Sequence, residues 1–282
     1  MTKKMISKNE RIFVAGSSGM AGSAICRKLI KEGYGSNIDN GVLFSPSRLE
    51  LDLSNKIAVE EWFKENKPSI VILAAAKVGG ILANSIYPAD FLLENLKIQN
   101  NLIETSWKYD VKRFLFLGSS CIYPKFSKQP IIEESLLAGE LEETNLGYSL
   151  AKISGIKLCE MLRSQYNFDA ISLMPTNLYG PKDNFHPQNS HVMAALIKKF
   201  SDAVASQSMQ VTCWGSGSPM REFMHVDDLA DAVLFVLERW NPDSIKGPLD
   251  ITGKKLTHLN VGTGKDISIK DLALKIAKAT GF

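Results

Sequence analysis

Tyr148 and Lys152 stand four residues apart in the segment Gly147-Tyr-Ser-Leu-Ala-Lys152. That is just over one helical turn, so a helix sets both side chains on one face, about 5–6 Å apart at Cβ. A free tyrosine titrates near pH ~10 and is a poor acid–base group at neutrality. A lysine cation beside it favours the phenolate and draws the phenol toward the working range. Alone, the spacing is also that of many solvated helix faces. Its company gives it meaning: a glycine-rich turn near the amino end, and the pair Ser119-Ser120 closing an apolar run. The combination reads as hydride-transfer chemistry.

The glycine turn is Gly16-Ser17-Ser18-Gly19-Met20-Ala21-Gly22, set between an expected strand and an expected helix. In that context glycines permit a tight turn and close backbone approach, while the helix amino terminus offers amides and positive dipole to a pyrophosphate. Cofactor choice falls to the end of the second strand, Ser45-Pro-Ser47-Arg48-Leu-Glu-Leu-Asp52. A site for NAD would place an acidic residue there. Ser45, Ser47 and Arg48 stand in its place, and a guanidinium suits a 2′-phosphate, so NADP(H) is the expected cofactor. Arg48 also reads as an ordinary surface arginine.

Ser119 sits where ligands bind in doubly wound sheets, at the carboxyl end of a strand. Two donors, Ser119 and Tyr148, converging on one carbonyl oxygen would stabilise the charge developing on it. Cys121 reads either as inert packing or as a proton-transfer group. A partner acid would then be needed across the substrate; His191 is the candidate, ahead of His186. No carboxylate or cysteine stands at ligand spacing from these histidines, so no metal is expected.

These groups need a scaffold, and the chain supplies a parallel α/β pattern. Strands are expected over 11–16, 42–44, 69–76, 113–120 and 170–175, with helices over 20–32, 57–66, 88–109 and 147–166. After about residue 178 the alternation fades and Gly and Pro become frequent. The expected fold is therefore a doubly wound parallel Rossmann-type sheet over 1–178, rejoined by about 211–240, with a smaller substrate-binding lobe mainly over 179–282. At 282 residues and 45% hydrophobic content the chain can bury such a core. The charge, 33 − 30 = +3, is mild and scattered, which implies neither nucleic acid nor an anionic membrane. The longest apolar run, 70–76, is far below a membrane span. Four cysteines without CxxC spacing fit a reducing cytoplasm.

The glycine spacing G-x-x-G-x-x-G resembles the extended branch of the short-chain dehydrogenase/reductase superfamily. Within it, the segments AAAKVGGILAN (74–84), NLKIQNNLI (95–103), FLGSSCIYPK (116–125), MPTNLYGPKDNFHPQNSHV (174–192) and WGSGSPMREFMHVDD (214–228) together resemble the GDP-L-fucose synthase family. The match runs from Arg11 to the last residue. The resemblance implies a bifunctional 3,5-epimerase and 4-reductase acting on GDP-4-keto-6-deoxy-D-mannose with NADPH. It implies Ser119, Tyr148 and Lys152 as the reductive triad, with Cys121 and His191 as base and acid of the epimerisation. Leu117, Gly118, Ser120, Pro175, Thr176, Asn177, Leu178 and His191 would add cofactor contacts, and Asp52 would lie near the adenine. Lys199, Trp214 and Arg221 would hold the nucleotide-sugar. The long helices would pair with symmetry mates in a homodimer.

Two positions depart from the family pattern. Lys199 stands where arginine is usual, which keeps charge but not a bidentate phosphate contact. Ser18 replaces an arginine frequent in the glycine turn, leaving Arg48 to carry the NADP preference. The family also continues a few dozen residues further, so the substrate lobe is expected to be incomplete at Phe282. The competing readings are a 4-epimerase or 4,6-dehydratase of the same superfamily and a non-catalytic dinucleotide sensor. Dehydratases usually carry Asp-Glu where Ser120-Cys121 stands, and a sensor has little use for a complete Ser119–Tyr148–Lys152 set.

Overall fold

The computed structural model describes residues 4–36, 40–186 and 190–282. Strands β1 (Arg11–Ala15), β2 (Val42–Phe44), β3 (Ile70–Leu73), β4 (Arg113–Leu117), β5 (Ala170–Pro175) and β8 (His258–Val261) form a parallel sheet in the order β2-β1-β3-β4-β5-β8. Alternate side chains fill two cores, as a strand's two-residue period requires. Ile12, Val14, Ile70, Ile72, Leu115 and Leu117 meet helices α1 (Met20–Lys31) and α7 (Val226–Arg239). Phe13, Val71, Leu73, Phe114 and Phe116 face the other way, toward α2 (Lys56–Asn66), α4 (Pro88–Lys108) and α5 (Leu146–Tyr166). The doubly wound expectation is met.

A second, three-stranded sheet joins β6 (Asn177–Tyr179), β7 (Met220–His225) and β9 (Asp266–Ser268). Over it α6 (Val192–Ala205) and α8 (Ile269–Thr280) bury Leu196, Phe200, Leu272 and Ile276 against one another. The chain thus crosses between the two layers several times after β5. Helix α7 and strand β8 join the large sheet, whereas β7 joins the small one.

Beyond shifts of a single residue at element ends, two strand boundaries and one short helix differ from the sequence expectation. The third strand stops at Leu73 rather than Ala76, because the chain there bends over the glycine turn: a Cβ on Gly16 would stand 2.6 Å from Ala75 N. The strand beginning at Arg113 stops at Leu117, and Ser120–Ile122 form a 3-10 turn. A short helix, α3 (Ile81–Ile86), follows the third strand. Six residues are too few to display helical periodicity, and Ile81 and Ile86 are exposed, which hides it further.

At the opposite end of the sheet from the carboxyl ends of the strands, Arg113 is 2% exposed and pairs with Asp169 at 2.5 Å. Its guanidinium also donates to the carbonyls of Val236 and Trp240, tying α7 to β4. Arg163 pairs with the same Asp169 and with Asp243. Replacing Asp169 leaves the Arg113 cation buried without its anion. Asp169→Ala is therefore expected to cost about 3–5 kcal/mol in urea-unfolding free energy. A loss below 1 kcal/mol, as surface pairs show, would contradict this account.

Candidate active site at the carboxyl ends of the strands

The glycine turn leads directly from β1 into α1. Gly16 has φ +88°, a left-handed conformation that favours glycine. A Cβ on Gly22 would lie 2.1 Å from the Gly16 carbonyl, so the turn closes only because that side chain is missing. Gly19 caps α1 with no side-chain bond, leaving the first amides of the helix for a ligand. The Ser17 hydroxyl donates to the Ser45 carbonyl at 3.1 Å and so joins this turn to the end of β2. Ser18 and Arg48 are exposed beside it. Asp52 accepts from Ser54 N and Oγ, at 3.0 and 2.7 Å, and these bonds hold its carboxyl below the usual carboxylate range. Bare amides at a helix start and a cradle that a Cβ would fill fit a dinucleotide pyrophosphate.

Gly118, at the end of β4, is buried and bonded to Leu173 O at 2.9 Å. The chain then turns sharply through the 3-10 segment, presenting Ser119, Ser120 and Cys121. Ser119 accepts from Cys121 N at 3.3 Å and also bonds the phenol of Tyr148, which reaches over from the first turn of α5. One turn further along α5, Lys152 is 4% exposed. Its ammonium donates to Leu117 O at 2.8 Å and lies 5.8 Å from the Tyr148 ring centroid. Hydroxyl, phenol, thiol and ammonium are thereby gathered around the end of one strand.

The electrostatics differ from the simplest expectation. Burial, with the Cys121 sulfur adding to it, pushes the Tyr148 phenol above its ordinary range, against the pull of the Ser119 bond. Lys152 spends its charge on a backbone carbonyl rather than on the phenolate, and burial draws its pKa down to about 8. Tyr148 is thus held protonated, which suits a proton donor. Burial raises the Cys121 thiol, opposed by the Ser119 bond and the positive charge of Arg221. His191, the N-cap of α6, keeps an exposed edge; desolvation of its ring lowers its pKa, while Asp183 pulls the other way.

The remaining candidates line the side toward the small lobe. Thr176 Oγ1 and Asn177 Nδ2 both donate to the Glu222 carbonyl, at 3.0 and 2.9 Å, and Leu178 packs into the core beneath α7. Pro175 closes β5 in the buried sheet. The Lys199 ammonium sits 4.4 Å above the Trp214 ring and donates to Thr212 O at 3.1 Å. With Asp202 and Gln210 they bound an open groove of about 400 Å³. Arg221 is exposed on β7. Residues 187–189 of the segment NFHPQNSH lie outside the described residues.

Residues 12–251 match the NAD dependent epimerase/dehydratase family. The chain belongs to that family. It is 50% identical to GDP-L-fucose synthase 1 of Arabidopsis thaliana, over 99% of this chain and 80% of the relative. It is 50% identical to GDP-L-fucose synthase of Escherichia coli (strain K12), over 97% of this chain and 82% of the relative. Its fold resembles that of the GDP-mannoheptose C4 reductase from Campylobacter jejuni solved with NADP bound. That likeness has a TM-score of 0.83 and 36% identity, over 98% of this chain and 87% of the other.

Within this family frame, sequence reading left several residues around the site unmarked. Ser149, fully buried, donates to the Cys121 carbonyl at 2.8 Å and fixes the cysteine turn onto α5. Asn95, 2% exposed, bonds both the amide and the carbonyl of Lys77 and so shapes the loop beyond β3. The Glu222 carboxylate accepts from Thr263 and from Gly264 N at 2.7 Å, tying β7 to the end of β8. Asp183 acts on His191. Ser149, Asn95 and Glu222 act through partners 18 to 42 residues away in the chain, so no local spacing announces them.

Proposed function

We propose that this protein is a GDP-L-fucose synthase, which epimerises GDP-4-keto-6-deoxy-D-mannose at C3 and C5 and reduces C4 with NADPH. The observation that carries the reading is the junction of Ser119, Cys121, Tyr148 and Lys152 at the end of β4. Half-identity to two synthases across nearly the whole chain supports the substrate.

The 4-keto group acidifies the hydrogens on C3 and C5. Ser119 and Tyr148 hold the oxygen, and their donors stabilise the enolate charge that forms when either hydrogen leaves. Cys121 and His191 move protons on opposite faces. The pair holds one exchangeable proton in either arrangement: thiol with neutral imidazole at rest, thiolate with imidazolium when reactive. Burial favours the thiol at rest, and the Ser119 bond and Arg221 oppose it in favour of the thiolate. When bound, NADPH supplies hydride to C4. Tyr148 gives its proton to the new alcohol oxygen, and Lys152 holds the end of β4 beneath it. Gly16, Gly19 and Gly22 with the start of α1 hold the pyrophosphate. Lys199, Trp214 and Arg221 hold the nucleotide-sugar, and two such chains associate through α4 and α5, whose outer faces expose Leu93, Leu150 and Met161.

The test is incubation with GDP-4-keto-6-deoxy-D-mannose and NADPH, followed by product stereochemistry. A C4 alcohol with unchanged C3 and C5 would defeat the reading. A rival 4-epimerase would invert C4 of a nucleotide-sugar alcohol with no net change in its cofactor, and would leave C3 and C5 of the ketone untouched. Arg48 gives a separate check on the cofactor. Arg48→Ala is expected to cost about 1.5–3 kcal/mol of NADPH binding, roughly 10–100-fold, with NADH affinity unchanged. Titration of the purified protein with both reduced cofactors reads this directly, and an undiminished NADPH preference removes Arg48 from the role.

A further inference from the structure

The turn that carries Cys121 is weakly held by its own bonds. Ile122 N to Ser119 O, Tyr123 N to Ser120 O and Cys121 N to Ser119 Oγ all measure 3.3 Å, beyond the usual range for such bonds. Two contacts from outside the turn are shorter. One is Ser149 Oγ to Cys121 O. The other comes from Tyr123, which follows the turn directly, is 5% exposed, and donates its phenolic proton to Asn260 Oδ1 at 2.5 Å.

Asn260 is itself fixed at several points. It lies on β8 in register with Met174. Its backbone amide donates to Glu133 Oε1 at 2.8 Å, and its side-chain amide donates to Ile131 O at 3.1 Å. The phenol of Tyr123 therefore joins a loosely self-bonded turn to a strand of the main sheet and to the 131–133 segment together. Its hydroxyl is committed to Asn260.

We infer that Tyr123 is a positioning residue for Cys121, holding the thiol where it can reach two different carbons of one sugar ring. The inference rests on the proposed function for its kinetic reading. Hydride transfer asks less of this anchor, because Tyr148 and Lys152 project from α5 and Ser119 adjoins the end of β4. Loosening the turn should accordingly harm proton exchange more than reduction, an asymmetry that general loss of fold does not produce.

Tyr123→Phe keeps the ring in the core and deletes only the tether. In the full-length variant, solvent-deuterium exchange at C3 and C5 is expected to fall about tenfold, because small misplacements of a reacting group are costly. Reduction of the already epimerised ketone should stay within about twofold, with NADPH affinity and thermal midpoint close to the wild type. A second measurement is independent of substrate identity. Iodoacetamide alkylation, followed by mass spectrometry, should change about threefold or more at Cys121 and not at exposed Cys213, which serves as internal control. Unchanged deuterium exchange, equal loss in both half-reactions, or unchanged alkylation at Cys121 would each overturn the inference. A wild-type chain that exchanged no deuterium would instead overturn the proposed function, and the alkylation arm would still decide the role of Tyr123.

Discussion

Tyr148→Phe is expected to lower NADPH-driven reduction of the ketone by about 10²–10⁴-fold, the range associated with a positioned general acid. That corresponds to about 3–5 kcal/mol of transition-state stabilisation. The phenol is neighboured by Ser119 and held protonated by burial and by the nearby thiol, so in the proposed reaction its removal deletes the proton that the new alcohol oxygen receives. The proposed cofactor cradle lies between β1 and α1 and does not include this side chain. NADPH affinity should therefore stay within about twofold while the chemical step collapses, a loss in kcat rather than in cofactor binding. Single-turnover measurement of NADPH oxidation, with cofactor affinity measured in parallel, separates the two. Turnover at a rate near the wild type would leave the phenol without a role.

The neighbouring lysine gives the same experiment a pH signature. Burial sets Lys152 at about 8, so its ammonium is present below that value and lost as pH rises through it. The reductive rate of the wild-type chain is expected to decline along that alkaline limb. The stability effect has the opposite sign. The folded value lies below the ordinary lysine value, so the unfolded chain binds more protons between about 8 and 10.5, and stability contributed by this group rises with pH across that window. A falling rate at undiminished stability distinguishes loss of the ammonium from loss of the fold.

Sequence revealed most of the large sheet because its strands are covered on both faces. Ile70–Leu73 and Arg113–Leu117 are apolar or buried throughout, and that pattern needs no partner to be recognised. The glycine turn was legible for a similar reason, since Gly16 and Gly22 answer to a backbone constraint within a few residues. The small lobe was not. Its sheet joins β6, β7 and β9, which are short and separated by more than 30 residues each, and its core draws on α6 and α8 from opposite ends of that region. At the site, Tyr148 and Lys152 declared themselves by spacing. The protonation of the phenol did not, because it depends on how deeply α5 seats against the cysteine turn and on Lys152 finding Leu117 O.

Cys121→Ser should separate the two reactions that share the ketone. A hydroxyl is a far weaker acid than a thiol, so proton removal from carbon at this position is expected to slow about 10²–10⁴-fold. The set proposed for hydride transfer, Ser119, Tyr148 and Lys152, is not altered, and the smaller oxygen leaves the Cys121 backbone bonds to Ser119 and Ser149 in place. Offered the already epimerised ketone, the variant should reduce it at nearly the wild-type rate. Offered GDP-4-keto-6-deoxy-D-mannose, it should stall before inversion or deliver hydride to the uninverted sugar. Deuterium wash-in at C3 and C5, read by mass spectrometry without NADPH, isolates the first step. If wash-in survives at the wild-type rate, Cys121 is packing, and the proton must leave through another group. If it disappears at one carbon only, Cys121 serves that carbon and a different base serves the other.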